Sequence, residues 1–385
     1  MDSSARSPAT YAIAGMIAMA VAMGIGRFVY TPILPGMMDA LGLTASDAGL
    51  IASANYAGYL VGAVLGAGNW GQGREHTIAM VSLASSAVLA AAMGMTESMP
   101  AFIAIRFLAG VASAFVMVFL STIIFSRLAA AGRSDLQVWH FGGVGIGIAL
   151  SSVMTGAVLL GGAQWEANWL WSGALSIAGF AVVFALVDRG VPPQTRPAAE
   201  PPTPRSTAMT RIILAYGIFG FGYIVTATFL VTIVRQGDAG PLFESVVWLA
   251  TGLAALPSVW LWSRVSRRIG LAQTFAVGCL VEAVGVIASV SMGGYAGPLL
   301  AGVLLGGTFV AVTAFGLTIG RELAGAAPRR VLALMTAAFG LGQIIGPVVG
   351  GIVADQTGSF TAPSLLAAAA LIASAVAIWG VRSKV

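Results

Sequence analysis

Apolar residues along this chain gather into long runs separated by short polar or charged stretches. A helix crossing the bilayer core needs about 20 apolar residues, and twelve runs reach that length. In the first half they cover residues 11–35, 44–68, 77–95, 101–126, 138–162 and 167–187, and in the second 211–234, 243–262, 270–292, 296–320, 331–354 and 361–381. Between the sixth and seventh runs, Pro192, Pro193, Pro197, Pro201, Pro202 and Pro204 stand among charged and polar residues. Such a composition predicts an extended linker. The pattern therefore predicts an all-α membrane protein of twelve transmembrane helices, with a six-helix bundle over 1–187, a linker over 188–210 and a second bundle over 211–385.

Composition removes the competing classes. Of 385 residues, 58% are hydrophobic and 9% charged, against about 25% charged in a soluble domain. The 50 glycines follow no G-X-Y repeat and lie inside the apolar runs, where small residues let membrane helices approach closely. A net charge of +5 would suit nucleic acid if it formed a face, but the basic residues fall in short loops and read as topology signals. Alternating the loops between the two sides places sixteen Lys and Arg on one side and only Arg235 on the other, with Arg27 and Arg106 inside spans. Cytoplasmic loops keep the excess of Lys and Arg, so both termini and the linker are expected in the cytoplasm. Arg6 precedes an apolar run from Tyr11 that is too long for a signal-peptide core and lacks a small-residue cleavage site, so it is kept as the first span.

No enzyme chemistry is visible. Cys279 is the single cysteine, and His76 and His140 lie apart without a carboxylate cluster, so neither a disulfide nor a metal site is expected. The chain lacks a phosphate loop of the Walker type, an HExxH pair and a Ser/His/Asp cluster inside the spans, which excludes ATP-driven transport within the chain and a cofactor-dependent reaction.

The two halves share a weak internal repeat at an offset of about 196 residues: Gly24-Ile25-Gly26-Arg27-Phe28 matches Gly220-Phe221-Gly222-Tyr223-Ile224. Six spans, a polar linker and six more spans resemble the major facilitator superfamily over the whole chain. Gly66-x3-Trp70-Gly71-Gln72-Gly73-Arg74 keeps the glycines and one Arg of the superfamily's loop between spans two and three but lacks its acid. Arg106-x3-Gly110-x3-Ala114 resembles its span-four motif, which implies a buried Arg on the cavity side. Gly342-x3-Gly346-Pro347 in span eleven is similar to the Gly-Pro motif that drug/proton antiporters carry in span five, whereas span five here has Gly143, Gly145 and Gly147 without proline. Gly26 to Pro35, Ala52 to Leu60 and His140 to Gly145 resemble the bacterial YbfB/YjiJ-type subfamily, which implies a multi-pass protein of the bacterial cytoplasmic (inner) membrane.

Candidate functional residues are the polar side chains at membrane depth. A charge there costs about 2.5–3.5 kcal/mol on insertion scales, so Arg27 either faces a wet cavity, or snorkels to the outer interface or caps neighbouring carbonyls. Arg106 meets either a solute or a neighbouring helix. Asn55 and Tyr59 are four apart and share a helix face, while Gly58, Gly62 and Gly66 form a second stripe expected to pack. Tyr30, Tyr223 and Gln343 complete the substrate-binding candidates. His140 and Glu282 are candidates for coupling to a proton, although span nine is peripheral in the superfamily layout and a structural Glu282 is the competing reading.

These readings converge on a secondary active or facilitative transporter in which two bundles rock about a central site. It is expected to work in the lipid bilayer as a monomer, on a small-molecule substrate, with a coupling proton or counter-solute. Arg27 and Arg106, if both face the cavity without a carboxylate, favour an organic anion; the alternative is an efflux pump for hydrophobic or cationic compounds.

Overall fold

The computed structural model describes residues 6–189, 201, 203, 206–237 and 240–381. The described residues form helices without any strand, and twelve helices are long and apolar enough to cross a membrane. Span 1 is Pro8–Leu41, span 2 Ala45–Gly66, span 3 Glu75–Met93, span 4 Met99–Ala130, span 5 Ser134–Leu160 and span 6 Trp165–Leu186. Span 7 is Thr207–Gln236, span 8 Pro241–Ile269, span 9 Leu271–Ser291, span 10 Ala296–Leu323, span 11 Pro328–Thr357 and span 12 Thr361–Ile378. Spans 1–6 and spans 7–12 make two six-helix bundles. Most of the linker expected over 188–210 lies outside the described residues.

Glycine sets the close packing within each bundle. The stripe Gly58, Gly62, Gly66 faces span 4, and a Cβ at Gly58 would overlap the Phe107 carbonyl oxygen, as one at Gly110 would overlap that of Asn55. Gly342 and Gly217 bring spans 11 and 7 together in the same way. Without a hydrophobic force between helices in lipid, this backbone contact replaces it.

Span 1 is not a regular helix. An α-helical Pro8–Met19 passes into a π-helical Ala20–Ile25, and a new α-helix begins at Tyr30. Pro32 and Pro35 follow in the outer part of this span, and the break lies one turn before them. A proline ring disturbs the carbonyl four residues before it and removes that hydrogen bond, which for Pro32 is the carbonyl of Phe28. Thr31 N instead reaches Phe28 O at 3.3 Å, passing over the carbonyl of Arg27. Both carbonyls at the break, Gly26 O and Arg27 O, then need donors from elsewhere.

The bundles meet on the side opposite the termini. Ala45 N and Ser46 N at the start of span 2 donate to the Asp355 carboxylate of span 11, each at 2.9 Å. Arg235 of span 7 holds Glu244 of span 8 through two bonds of 2.8 Å and also pairs with Asp39 of the first bundle. Thr31 Oγ1 donates to Ala227 O at 2.6 Å, and Ser53 Oγ to Ile344 O at 2.7 Å. A carboxylate on free helix N–H groups is favourable, so Asp355 fastens one bundle to the helix end of the other. On the terminus side, Asp188 beyond span 6 accepts from Tyr11 at 2.7 Å and Arg6 at 3.2 Å, both of its own bundle. The Tyr11 hydrogen bond leads the causes holding the Asp188 carboxyl below the usual carboxylate range.

Candidate functional site

The break in span 1 builds the site. Arg106 of span 4 donates from Nη1 to Gly26 O at 3.0 Å and from Nη2 to Arg27 O at 3.1 Å. Asn55 Nδ2 of span 2 in turn donates to Arg106 O at 3.0 Å. The Arg106 side chain, 1% exposed, lies over the rings of Tyr30 and Trp169 at 5.2 and 5.9 Å. Tyr30 Oη is spent on Ala48 O at 2.9 Å. Tyr30, Asn55 and Arg106 thus form a buried cluster whose named bonds run to backbone carbonyls, and which fixes the turn carrying Arg27.

This arrangement gives a stability prediction. Arg106→Leu removes the donors of two buried carbonyls, and an unsatisfied buried polar group costs about 1–3 kcal/mol. A loss of roughly 2–6 kcal/mol is expected, read as a much lower unfolding temperature of the detergent-solubilised protein. Unfolding at the wild-type temperature would show that the turn does not depend on this side chain.

Arg27 projects from the turn into contact with the second bundle. It is 3% exposed, with its guanidinium carbon 4.3 Å from the Tyr59 ring centroid and 5.0 Å from that of Tyr56. Its Nη2 donates to Gln343 Oε1 of span 11 at 3.3 Å, and Gln343 Nε2 continues to the hydroxyl of Tyr223 in span 7. Nε of Arg27 has no hydrogen-bond partner. Among the described residues no carboxylate forms a salt bridge with Arg27, unlike Arg6, Arg133 and Arg235. A buried guanidinium is therefore stabilised by the rings of Tyr59, Tyr56 and Phe28 and by a neutral amide.

Four of the expected substrate-binding residues, Arg27, Tyr59, Tyr223 and Gln343, come together here from spans 1, 2, 7 and 11. Four further aromatic rings extend the group from Tyr223: Tyr216 and Phe219 from span 7, Phe309 from span 10 and Phe339 from span 11. Tyr223 lies within 9° of parallel to Phe309 and 11° to Phe339, at centroid distances of 5.9 and 5.6 Å. Sequence reading did not select Tyr56, Phe309 or Phe339. The spacing of Tyr216, Phe219 and Tyr223 puts them on one helix face, a signal available in the sequence; isolated phenylalanines in apolar spans give none.

His140 and Glu282 have other partners. His140, 1% exposed, shares a hydrogen bond between Nε2 and Ser121 Oγ at 2.8 Å within the first bundle, and its Nδ1 is unpartnered. Glu282, fully buried in span 9, accepts from Thr308 of span 10 at 2.8 Å, and its Oε1 is unpartnered. Neither bonds directly to the Arg27 group. A cavity of about 510 Å³ on the side opposite the termini is lined by Pro32, Asp39, Asn168 and Arg235 among others; none of the seven substrate-binding candidates reaches it. Among the described residues no cluster of His, Cys, Asp or Glu could hold a metal ion.

Two six-helix bundles meeting at a polar group buried midway through the spans define a transporter of the major facilitator type, not an enzyme. Residues 19–379 match the family described as uncharacterised MFS-type transporter YbfB, and the chain belongs to that family. A chloramphenicol resistance protein of Streptomyces lividans is 29% identical over 386 residues, covering 93% of this chain and 94% of that protein. The crystal structure of the nucleoside transporter NupG superposes with a TM-score of 0.69 at 15% identity, over 97% of this chain and 98% of that one. A bacterial homolog of the human lysosomal transporter Spinster, in an inward-facing and unoccupied conformation, gives 0.68 at 10% identity over 97% and 95%. These two likenesses establish the fold.

Proposed function

We propose that this chain carries a small organic anion across the bacterial cytoplasmic membrane by alternating access, with Arg27 holding the anion. The observation that carries the reading is a buried guanidinium whose hydrogen-bond partner is a neutral amide oxygen and whose Nε has no partner. A carboxylate or similar group accepts two parallel hydrogen bonds from such a fork. Gln343 Oε1 stands where one oxygen of that group would bind, so the solute replaces a weaker acceptor of the same geometry. Tyr59 and Tyr223 flank this position, while Arg106, Asn55 and Tyr30 position the turn.

The bundles are the moving parts, rocking about the Arg27–Gln343 contact. With both termini in the cytoplasm, as the distribution of Lys and Arg favours, the side held by Asp355 and Arg235 is the outer one. The domains then run 1–187, 188–210 and 211–385, and one chain is the working unit. His140 and Glu282 are the groups for a coupling proton where coupling is to a proton instead of a counter-solute.

A second reading, efflux of hydrophobic or cationic compounds, draws support from the chloramphenicol resistance relative and the ring-lined wall. The two diverge in sign at Arg27, which repels a cation. Purified protein screened by thermal shift is expected to be stabilised by small carboxylates and not by lipophilic cations of similar size. Stabilisation by the cations alone would overturn the anion reading.

A further inference from the structure

Near Arg27, five rings of spans 7, 10 and 11 lie close to parallel, one of the two pairings that aromatic rings favour. Besides the two pairs of Tyr223 already given, Phe219 lies 19° from Tyr223 at 5.1 Å, and Tyr216 lies 19° from Phe339 at 4.7 Å. Three spans thus contribute to one near-parallel stack. Its inner members, Phe219 and Tyr216, are 0% and 1% exposed, whereas Phe309 and Phe339 at its margin are 6% and 9% exposed. Phe28 closes edge-on against Phe309 at 5.6 Å and also lies under the Arg27 guanidinium at 5.8 Å. The donor edge of Arg27 and the margin of the stack are therefore neighbours, joined through Gln343 and the Tyr223 hydroxyl.

We propose that the anion is an aromatic monocarboxylate, its carboxylate on Arg27 and its ring lying along the stack against Phe309 and Phe339. This rests on the organic-anion reading and narrows it. A planar ring adds to a parallel stack with the offset geometry that the stack already uses and gains ring-pair attraction beyond area burial; a puckered ring of the same size cannot. The limit to one carboxylate follows from the cations. Arg106 has committed Nη1 and Nη2 to Gly26 O and Arg27 O and keeps only Nε unpartnered, so it offers no two-donor fork, and a second carboxylate would be desolvated beside Arg27 without a fork of its own. The Tyr223 hydroxyl, which accepts from Gln343, keeps its proton for a polar substituent on the ring.

The test measures binding of five probes to the purified protein by calorimetry: benzoate, 2-naphthoate, cyclohexanecarboxylate, benzamide and phthalate. Benzoate is expected to bind about 10-fold more tightly than cyclohexanecarboxylate, which has the same charge and similar size, in line with two ring pairs. Benzamide, planar but uncharged, and phthalate, with two charges, are expected to be weaker than benzoate by about 10-fold or more. Phe309→Leu and Phe339→Leu should shrink the ratio between benzoate and cyclohexanecarboxylate toward one. Equal, Arg27-dependent binding of the two acids would overturn the aromatic assignment while leaving the anion reading intact. Benzamide binding as tightly as benzoate would overturn the anion reading itself. Failure of benzoate and of the larger 2-naphthoate to bind at millimolar concentration would overturn the proposal.

Discussion

Arg27→Ala is expected to lower affinity for the proposed anion by about 100-fold or more, and Arg27→Lys by about 10-fold, with both variants inserting and folding as the parent does. Hydrogen bonds to charged groups contribute about 1.5–3 kcal/mol each, and an anion on the fork makes two of them, so losing both corresponds to at least about 100-fold. Lysine keeps the charge as a point without the planar fork, hence the intermediate loss. Folding survives because the backbone turn at residue 27 is held by Arg106 through carbonyls, not by the Arg27 side chain. Transport assays in proteoliposomes together with binding to the purified variants check this. Wild-type binding and transport by Arg27→Ala would reduce Arg27 to a packing group on Tyr56 and Tyr59. Gln343→Ala provides an internal contrast, since it frees the Nη2 position and leaves the cation available.

The twelve spans could be read directly because the bilayer demands an unbroken apolar run, and such a run needs no tertiary information. Their ends were less legible. Span 8 was expected to stop at 262 but continues to Ile269 through Arg264, Arg267 and Arg268, because charge marks where a helix leaves the apolar layer and not where its hydrogen bonding stops. Span 1 was expected over 11–35 and runs Pro8–Leu41 with its break inside; Pro32 announces a break, but its steric effect falls on the carbonyl four residues earlier. The candidate site was legible as single residues, since Arg27, Tyr223 and Gln343 contrast with their apolar surroundings. Their meeting was not, because Arg27 and Gln343 are 316 positions apart and no local pattern encodes that pairing. Arg106 shows the limit of reading charge alone: the same buried cation suits a solute or a carbonyl, and only the broken turn in span 1 supplies the carbonyls. Phe309 and Phe339 carried no contrast at all.

Gly351→Leu, and independently Gly49→Leu, are expected to prevent closure on the side opposite the termini and to arrest transport while each bundle stays folded. A Cβ at Gly351 would overlap the backbone of Ala45 and Ser46, and one at Gly49 the carbonyl of Pro347. In both cases the atoms met belong to the other bundle, so the overlap exists only when the bundles are closed. Overpacking by added carbons costs about 1–3 kcal/mol or more, which shifts an open–closed equilibrium by roughly 5- to 150-fold. The loss of the Asp355 bonds to Ala45 N and Ser46 N adds to that shift, since they cannot form across a wedge. Spin labels on Ala40→Cys and Leu242→Cys, both exposed on that side, should report a longer distance in the glycine variants, with an unfolding temperature near that of the parent. Gly58→Leu is the control: its Cβ meets Phe107 within its own bundle, so it should lower the unfolding temperature instead of moving the bundles apart. An unchanged label distance and unchanged transport in Gly351→Leu and Gly49→Leu would mean that this contact is not a gate, and that the bundles work without separating along spans 2 and 11.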